Sequence, residues 1–225
     1  STDCFSGVTI AGGVCYFLWD RTYDGECLVG NYENNKFLFA RRSLSEFPIF
    51  VRDNLAIKII HHIQEFEEKT FDEIVKSRNS FGLPSNFKSA ATTRKSIPVL
   101  SSSGIQHASH IEISDRDNIL EKYKVIINYA MSGGNKPSSD GDYMVLSSLK
   151  VIPPGEAFTE TYLCVDAFDD VKKAENLISF LKTKFCRFLL LQALTSIHIT
   201  KDKFIFVPHQ DFSEAWTDEK LYQKY

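Results

Sequence analysis

Apolar positions in this chain recur at two different periods, and the stretches of each period mark its elements. Between Phe50 and Glu68 the residues Leu55, Ile59, Ile60, Ile63 and Phe66 step by three and four, which predicts an amphipathic helix. The same spacing runs longest from Asp169 to Gln192, through Val171, Ala174, Ile178, Leu181, Phe185 and Phe188, with Asp169 and Asp170 placed to suit the start of a single long helix. Shorter helices are predicted at Phe71 to Lys76, over "DRDNILEKY", and from Thr217, where Asp218 and Glu219 fill a first turn. Runs rich in β-formers predict strands. These are a buried one in "GGVCYFLWD" (Gly12 to Asp20), a hairpin of Cys27–Val29 with Lys36–Ala40 around a Gly/Asn turn, Lys124 to Ala130, and "KFIFV" ahead of Pro208. Two or three more lie in "YMVLSSLKVIPPGEAFTETYLCVDAF", broken at Pro153-Pro154-Gly155, and a further alternating segment surrounds "HIEIS".

Strands and helices mix without regular βαβ alternation, so the fold class is α+β, with mixed twisted sheets and flanking helices. No internal repeat and no sharp break in composition divides the 225 residues; the Gly/Ser-rich stretch 131–142 is the weakest point. The chain opens "STDCF" and closes inside the helix-like "TDEKLYQKY", which reads as a piece excised from something longer.

Composition narrows the classes. With 43% apolar and 24% charged residues this is an ordinary globular composition. A net charge of −3 argues against a general polyanion binder, yet a local field can still steer a ligand. The five cysteines are scattered with no CxxC pair, as expected of thiols in a reducing cytoplasm. No apolar run is long enough for a membrane span.

Catalytic patterns are absent. Gly12-Gly13, Gly133-Gly134 and Gly141 form neither a dinucleotide fingerprint nor a P-loop, and no GxSxG occurs. His61 and His62 would point about 100° apart on a helix and cannot easily share an ion. Asp53 followed by Glu67 and Lys69 has the spacing of a metal nuclease, which keeps that activity open as an alternative. A protein-interaction module, drawing on 18 Phe and 9 Tyr, is a third.

One loop stands apart. "SRNSFGLPSNFK" (77–88) carries Arg78, Asn79, Phe81, Asn86 and Lys88 about a Gly-Leu-Pro turn, and from Lys76 to Lys95 there are five Lys/Arg and no acid. Cations neutralise phosphates, Asn and Arg have the fork geometry to read base edges, and Phe can wedge at a base step. Arg94, Lys95, Arg42, and Lys184 with Arg187 on the long helix extend the candidate DNA-binding set. Base reading is also open to the segments 89–118 and 131–150, with Gln106, His107 and Asn135.

Taken together, "FSGVTIAGGVCYFLWDR", "SRNSFGLPSNFK", "EKYKV", "FTETYLCV", "AENLISFLKTKFCRFLL" and "KFIFVPHQDFSEAWTDEKLYQKY" resemble the C-terminal region of type II restriction-modification adenine-N6 DNA methyltransferases and methylase-endonuclease fusions. The resemblance implies a TaqI-like target-recognition domain over 1–225, with 1–20 at the junction to a methylase domain outside this chain. It implies double-stranded DNA as partner, S-adenosylmethionine as cofactor of the parent enzyme and none in this piece, and a grip on duplex flanking an adenine drawn from the stack.

Overall fold

The computed structural model describes residues 7, 15–33, 36–88, 96–130 and 145–225. Along these the chain forms β1 (Cys27–Glu33), β2 (Lys36–Arg42), α1 (Ala56–Gln64), α2 (Phe71–Ile74), β3 (Ile97–Ser101), β4 (Gly104–Ala108), β5 (Tyr123–Asn128), β6 (Lys150–Ile152), β7 (Ala157–Phe158), β8 (Tyr162–Phe168), α3 (Val171–Leu181), α4 (Lys184–Ala193), a 3-10 turn (Lys201–Phe204) and α5 (Asp218–Lys224). The α+β expectation holds.

Strand β5 organises the molecule. It lies between β6 and β8, antiparallel to both, and its side chains alternate between two cores. Val125 and Ile127, with Leu163 and Val165 of β8, face a helical core built from Phe180, Phe185, Leu189, Phe204 and Phe212. Ile126, with Cys164 of β8, faces the opposite way, toward Phe81, Leu83, Val99 and Phe158. That second side is closed by a sheet in the order β4-β3-β7, with β3 parallel to β7 and antiparallel to β4. A strand covered on both faces reads as a continuous apolar run, and "VII" does so.

Lys124 shares this interior. Its ammonium donates to the carbonyls of Leu120 (2.8 Å) and Pro153 (2.7 Å), and burial pushes its pKa down to about 8.

Several elements differ from expectation. The stretch 169–192 is two helices, because Thr183 takes an extended ψ and its hydroxyl accepts from the Cys186 amide as an N-cap. Asp218 completes that start by accepting from the amides of Lys184 (3.0 Å) and Phe185 (2.9 Å). "KFIFV" forms a 3-10 turn and not a strand; Phe204, Phe206 and Val207 are buried from a compact turn. "DRDNILEKY" forms turns and no helix, since both oxygens of Asp115 hold the amides of Ile119 and Leu120. "HIEIS" is a turn and not part of a strand: Glu112 accepts from the amide and hydroxyl of Ser109, so Ile113 packs inward while Ile111 points to solvent. Strands β3 and β4, hidden in the Ser-rich stretch, were not expected. Of the buried strand expected at Gly12 to Asp20, residues 12–14 lie outside the described residues. The remainder, 15–20, has no strand structure and is exposed.

The β1–β2 hairpin is longer than expected and is mounted by polar groups. Asn54 donates to the carbonyls of Val29 (3.0 Å) and Leu38 (3.1 Å), and its own amide donates to the Asn31 carboxamide oxygen (2.8 Å). Arg42 donates to Val51 O (2.8 Å) and to Asn54 Oδ1 (3.2 Å).

Candidate nucleic-acid interface

The acid-free loop leaves α2 and is fastened to three other segments. The Lys76 amide donates to Cys164 O (3.0 Å) of the central sheet, the Ser114 and Arg116 amides donate to Phe81 O (3.0 Å) and Ser80 O (3.2 Å), and the Glu160 amide donates to Leu83 O (2.9 Å). Two residues turn the chain with positive φ. Asn79 (65°) is of the type that tolerates this region, and Gly82 (73°) lies where a Cβ would already meet Ser114 Cβ at 3.3 Å. The Gly82 amide donates to Asn79 O and the Phe87 amide to Pro84 O, closing two short turns. Apolar residues of the loop therefore serve as anchors, with Phe81 and Leu83 fully sealed in the second core and Phe87 packed at its margin.

The loop residues divide accordingly. Phe81 is sealed from solvent and lies edge-on to Phe158, so it does not wedge a base; that assignment is corrected. Asn79 is half-buried and its Oδ1 is buried without a hydrogen-bond partner, which turns it inward. Asn86 and Lys88 are exposed. Arg78 lies over the Tyr129 ring, 4.1 Å from its centroid, and stands 3.5 Å from the Glu160 carboxylate. Tyr129 in turn stacks on His198 (4.9 Å, 23°), so its ring meets side chains from two distant segments.

Arg116 joins this surface although sequence reading passed over it. Its backbone docks on the loop at Ser80, its side chain is exposed, and its acidic neighbours face away. Asp115 is committed to the amides of Ile119 and Leu120, and Asp117 has a buried carboxylate oxygen. Below the loop, Lys76 pairs with Asp166 at 3.7 Å, where burial raises the carboxyl pKa. Lys88 and Arg116 thus present positive charge from a hydrogen-bonded scaffold, with Arg78 partly neutralised beside them.

The remaining candidates lie elsewhere. Arg42 is buried, bonded to Val51 and Asn54 and placed over the Phe50 ring, so it is structural and not a phosphate contact. Lys184 is exposed and Arg187 half-buried with its Nε donating to Thr183 O; both ride on α4, across the central sheet from the loop. The structure does not bring them together with Arg78 and Lys88. Gln106 is half-buried on β4, and His107 beside it is exposed with Nδ1 3.1 Å from Ser96 Oγ. Arg94, Lys95 and Asn135 lie outside the described residues.

The nuclease constellation does not assemble. Asp53 precedes α1 and Glu67 follows it, and nine helical residues separate their backbones by about 14 Å. Among the described residues no group of three or more His, Cys, Asp or Glu could hold a metal ion. The four described cysteines are unpaired, and Cys4 lies outside the described residues. No helix among the described residues is long and apolar enough to cross a membrane.

The geometry defines an α+β chain with a cationic, amide-bearing loop held rigidly on its second core. Over 97 residues, 42% of this chain, it is 28% identical to an uncharacterized adenine-specific methylase of Mycoplasma pneumoniae, and that stretch is 21% of the relative's length. The similarity points to a methylase-related protein; no protein-family model matches the chain.

Proposed function

We propose that this chain is the DNA-recognition part of an adenine-N6 methylase, gripping duplex DNA while a catalytic part of the parent enzyme draws out the target base. Lys88 and Arg116 neutralise phosphates, and Asn86, exposed within the turn that Phe87 N closes on Pro84 O, is the amide available to a base edge. Arg78, held over the Tyr129 ring, reaches a phosphate only by sharing itself with Glu160. The observation that carries the reading is the division of labour within 77–88: Phe81, Leu83 and Phe87 pack inward as anchors, while Arg78, Asn86 and Lys88 stand outward beside Ser77, Pro84 and Ser85.

In this reading S-adenosylmethionine is held by the methyl-transferring part of the parent, while this chain holds the duplex. The grip has a kinetic signature. In the parent enzyme, Lys88→Ala with Arg116→Ala raises KM for duplex substrate and leaves kcat near its starting value, because phosphate contacts act on substrate and transition state alike. A loss confined to kcat would contradict this assignment.

A further inference from the structure

Half of the large apolar side chains that stand exposed among the described residues lie between positions 16 and 39. The hairpin concentrates them on one face. The register places Gly30 opposite Phe39 and Tyr32 opposite Phe37, and alternation adds Leu28, across from Arg41, to the same side. Leu28, Phe37 and Phe39 are each more than half exposed. The rings form a ladder, with Tyr32 to Phe37 at 4.8 Å and Phe37 stacked on Phe39 at 5.4 Å. Phe39 also covers Gly30, where a Cβ would meet the ring at 2.8 Å. The other face carries Val29, Asn31 and Ala40 and is the one fastened by Asn54 and Arg42.

Two features say what kind of surface this is. An isolated two-stranded ribbon is marginal in water, and here neither strand has a second neighbour among the described residues. Its attachment to the rest of the molecule includes hydrogen bonds to a polar staple, and among the described residues the ladder side chains belong to neither hydrophobic core. A contiguous aromatic face on a ribbon with open edges suits the margin of another β-sheet, which supplies both apolar cover and backbone partners.

We infer that the Leu28–Phe37–Phe39 face, continued by residues 16–19, docks on the sheet of the methyl-transferring domain of the same polypeptide. The inference rests on the recognition-domain reading above. The occupant is chosen because the methylase relative is nearly five times as long as the stretch it shares with this chain, which leaves ample room for a sheet-bearing domain. The covered surface then runs from residue 16 through Arg41, well past the junction expected at 1–20, and the Asn54–Arg42 staple becomes the hinge point between the two parts.

The test compares amide hydrogen exchange of residues 27–42 in the full-length gene product and in the 225-residue chain. Slowing by tenfold or more in the longer protein is expected, together with loss of that protection in the Phe37→Ser, Phe39→Ser double variant. That variant, made in the 225-residue chain, keeps its duplex affinity within twofold, since no ladder residue belongs to the proposed duplex grip. Equal exchange in both proteins, a gene product no longer than this chain, or protection that appears in the short chain with dimer formation would each overturn the inference, the last in favour of a second copy. If the hairpin stays open while the protein still binds duplex and methylates adenine, docking fails and the recognition reading stands. If the hairpin is protected and no duplex binds, docking stands and the recognition reading fails.

Discussion

The ring of Phe81 meets the ring of Phe158 edge-on, with centroids 5.0 Å apart and planes at 78°, and both side chains are closed to solvent. This contact makes the loop at 77–88 a fixed part of the second core and not a swinging arm. Phe81→Ala is therefore expected to cost about 3–5 kcal/mol of stability, as for other buried aromatic truncations. Urea unfolding measures it. A cost under about 1 kcal/mol with duplex affinity lost would return Phe81 to the DNA-facing side.

Charge removal separates the two groups of cations. Lys88→Ala with Arg116→Ala is expected to flatten the logarithmic salt dependence of duplex binding by up to about two units, one for each phosphate given up. Lys184→Ala with Arg187→Ala, across the sheet, is expected to leave the slope where it was. A titration at four or five ionic strengths decides; the reverse pattern would move the interface to α4.

Much of the fold was legible because its cause is local. The period of α1 around Ile60 and Ile63, the Thr217 cap of α5 and the pairing of Cys27–Val29 with the strand from Lys36 are all written within a few residues. What was misread depends on distant partners. The break between α3 and α4 is held by Asp218, more than thirty residues downstream, and the apolar run at Phe204–Val207 is buried by a turn whose contacts come from α2 and α4. The site divides the same way. Composition marked the loop, but nothing local distinguishes Phe81, an anchor, from a wedge, or Arg42, held by Val51 and Asn54, from a phosphate ligand. Arg116 was hidden by Asp115 and Asp117, whose inward turn only the fold reveals.

Lys124 gives a pH dependence of definite sign. Its folded pKa of about 8 is below the ordinary 10.5, so the unfolded chain binds more protons between those values and stability rises with pH there. Lys124→Met removes this rise: near neutrality it trades the donor to Leu120 O and Pro153 O for relief of the ammonium's desolvation, and the variant's stability no longer climbs between those pH values. Chemical unfolding of both proteins from pH 7 to pH 10 isolates the lysine. Parallel profiles would mean the ammonium is hydrated in the native state.

Asn54 is the staple of the hairpin. Its replacement by Ala orphans the carbonyls of Val29 and Leu38 and one contact of Arg42, and is expected to cost about 1–3 kcal/mol. The effect should be local. Limited proteolysis within residues 27–42 accelerates while the urea midpoint of the two cores moves little. Cooperative loss of the whole fold instead would show that the hairpin is integral to the helical core.

The central claim is that this chain grips double-stranded DNA through phosphates. The decisive measurement is equilibrium binding of the 225-residue chain to a duplex oligonucleotide pool across ionic strength. The expected result is measurable affinity at low salt that falls linearly on logarithmic axes, with a slope reduced by the Lys88 and Arg116 replacements. No binding at low ionic strength, or binding indifferent to salt, would contradict it.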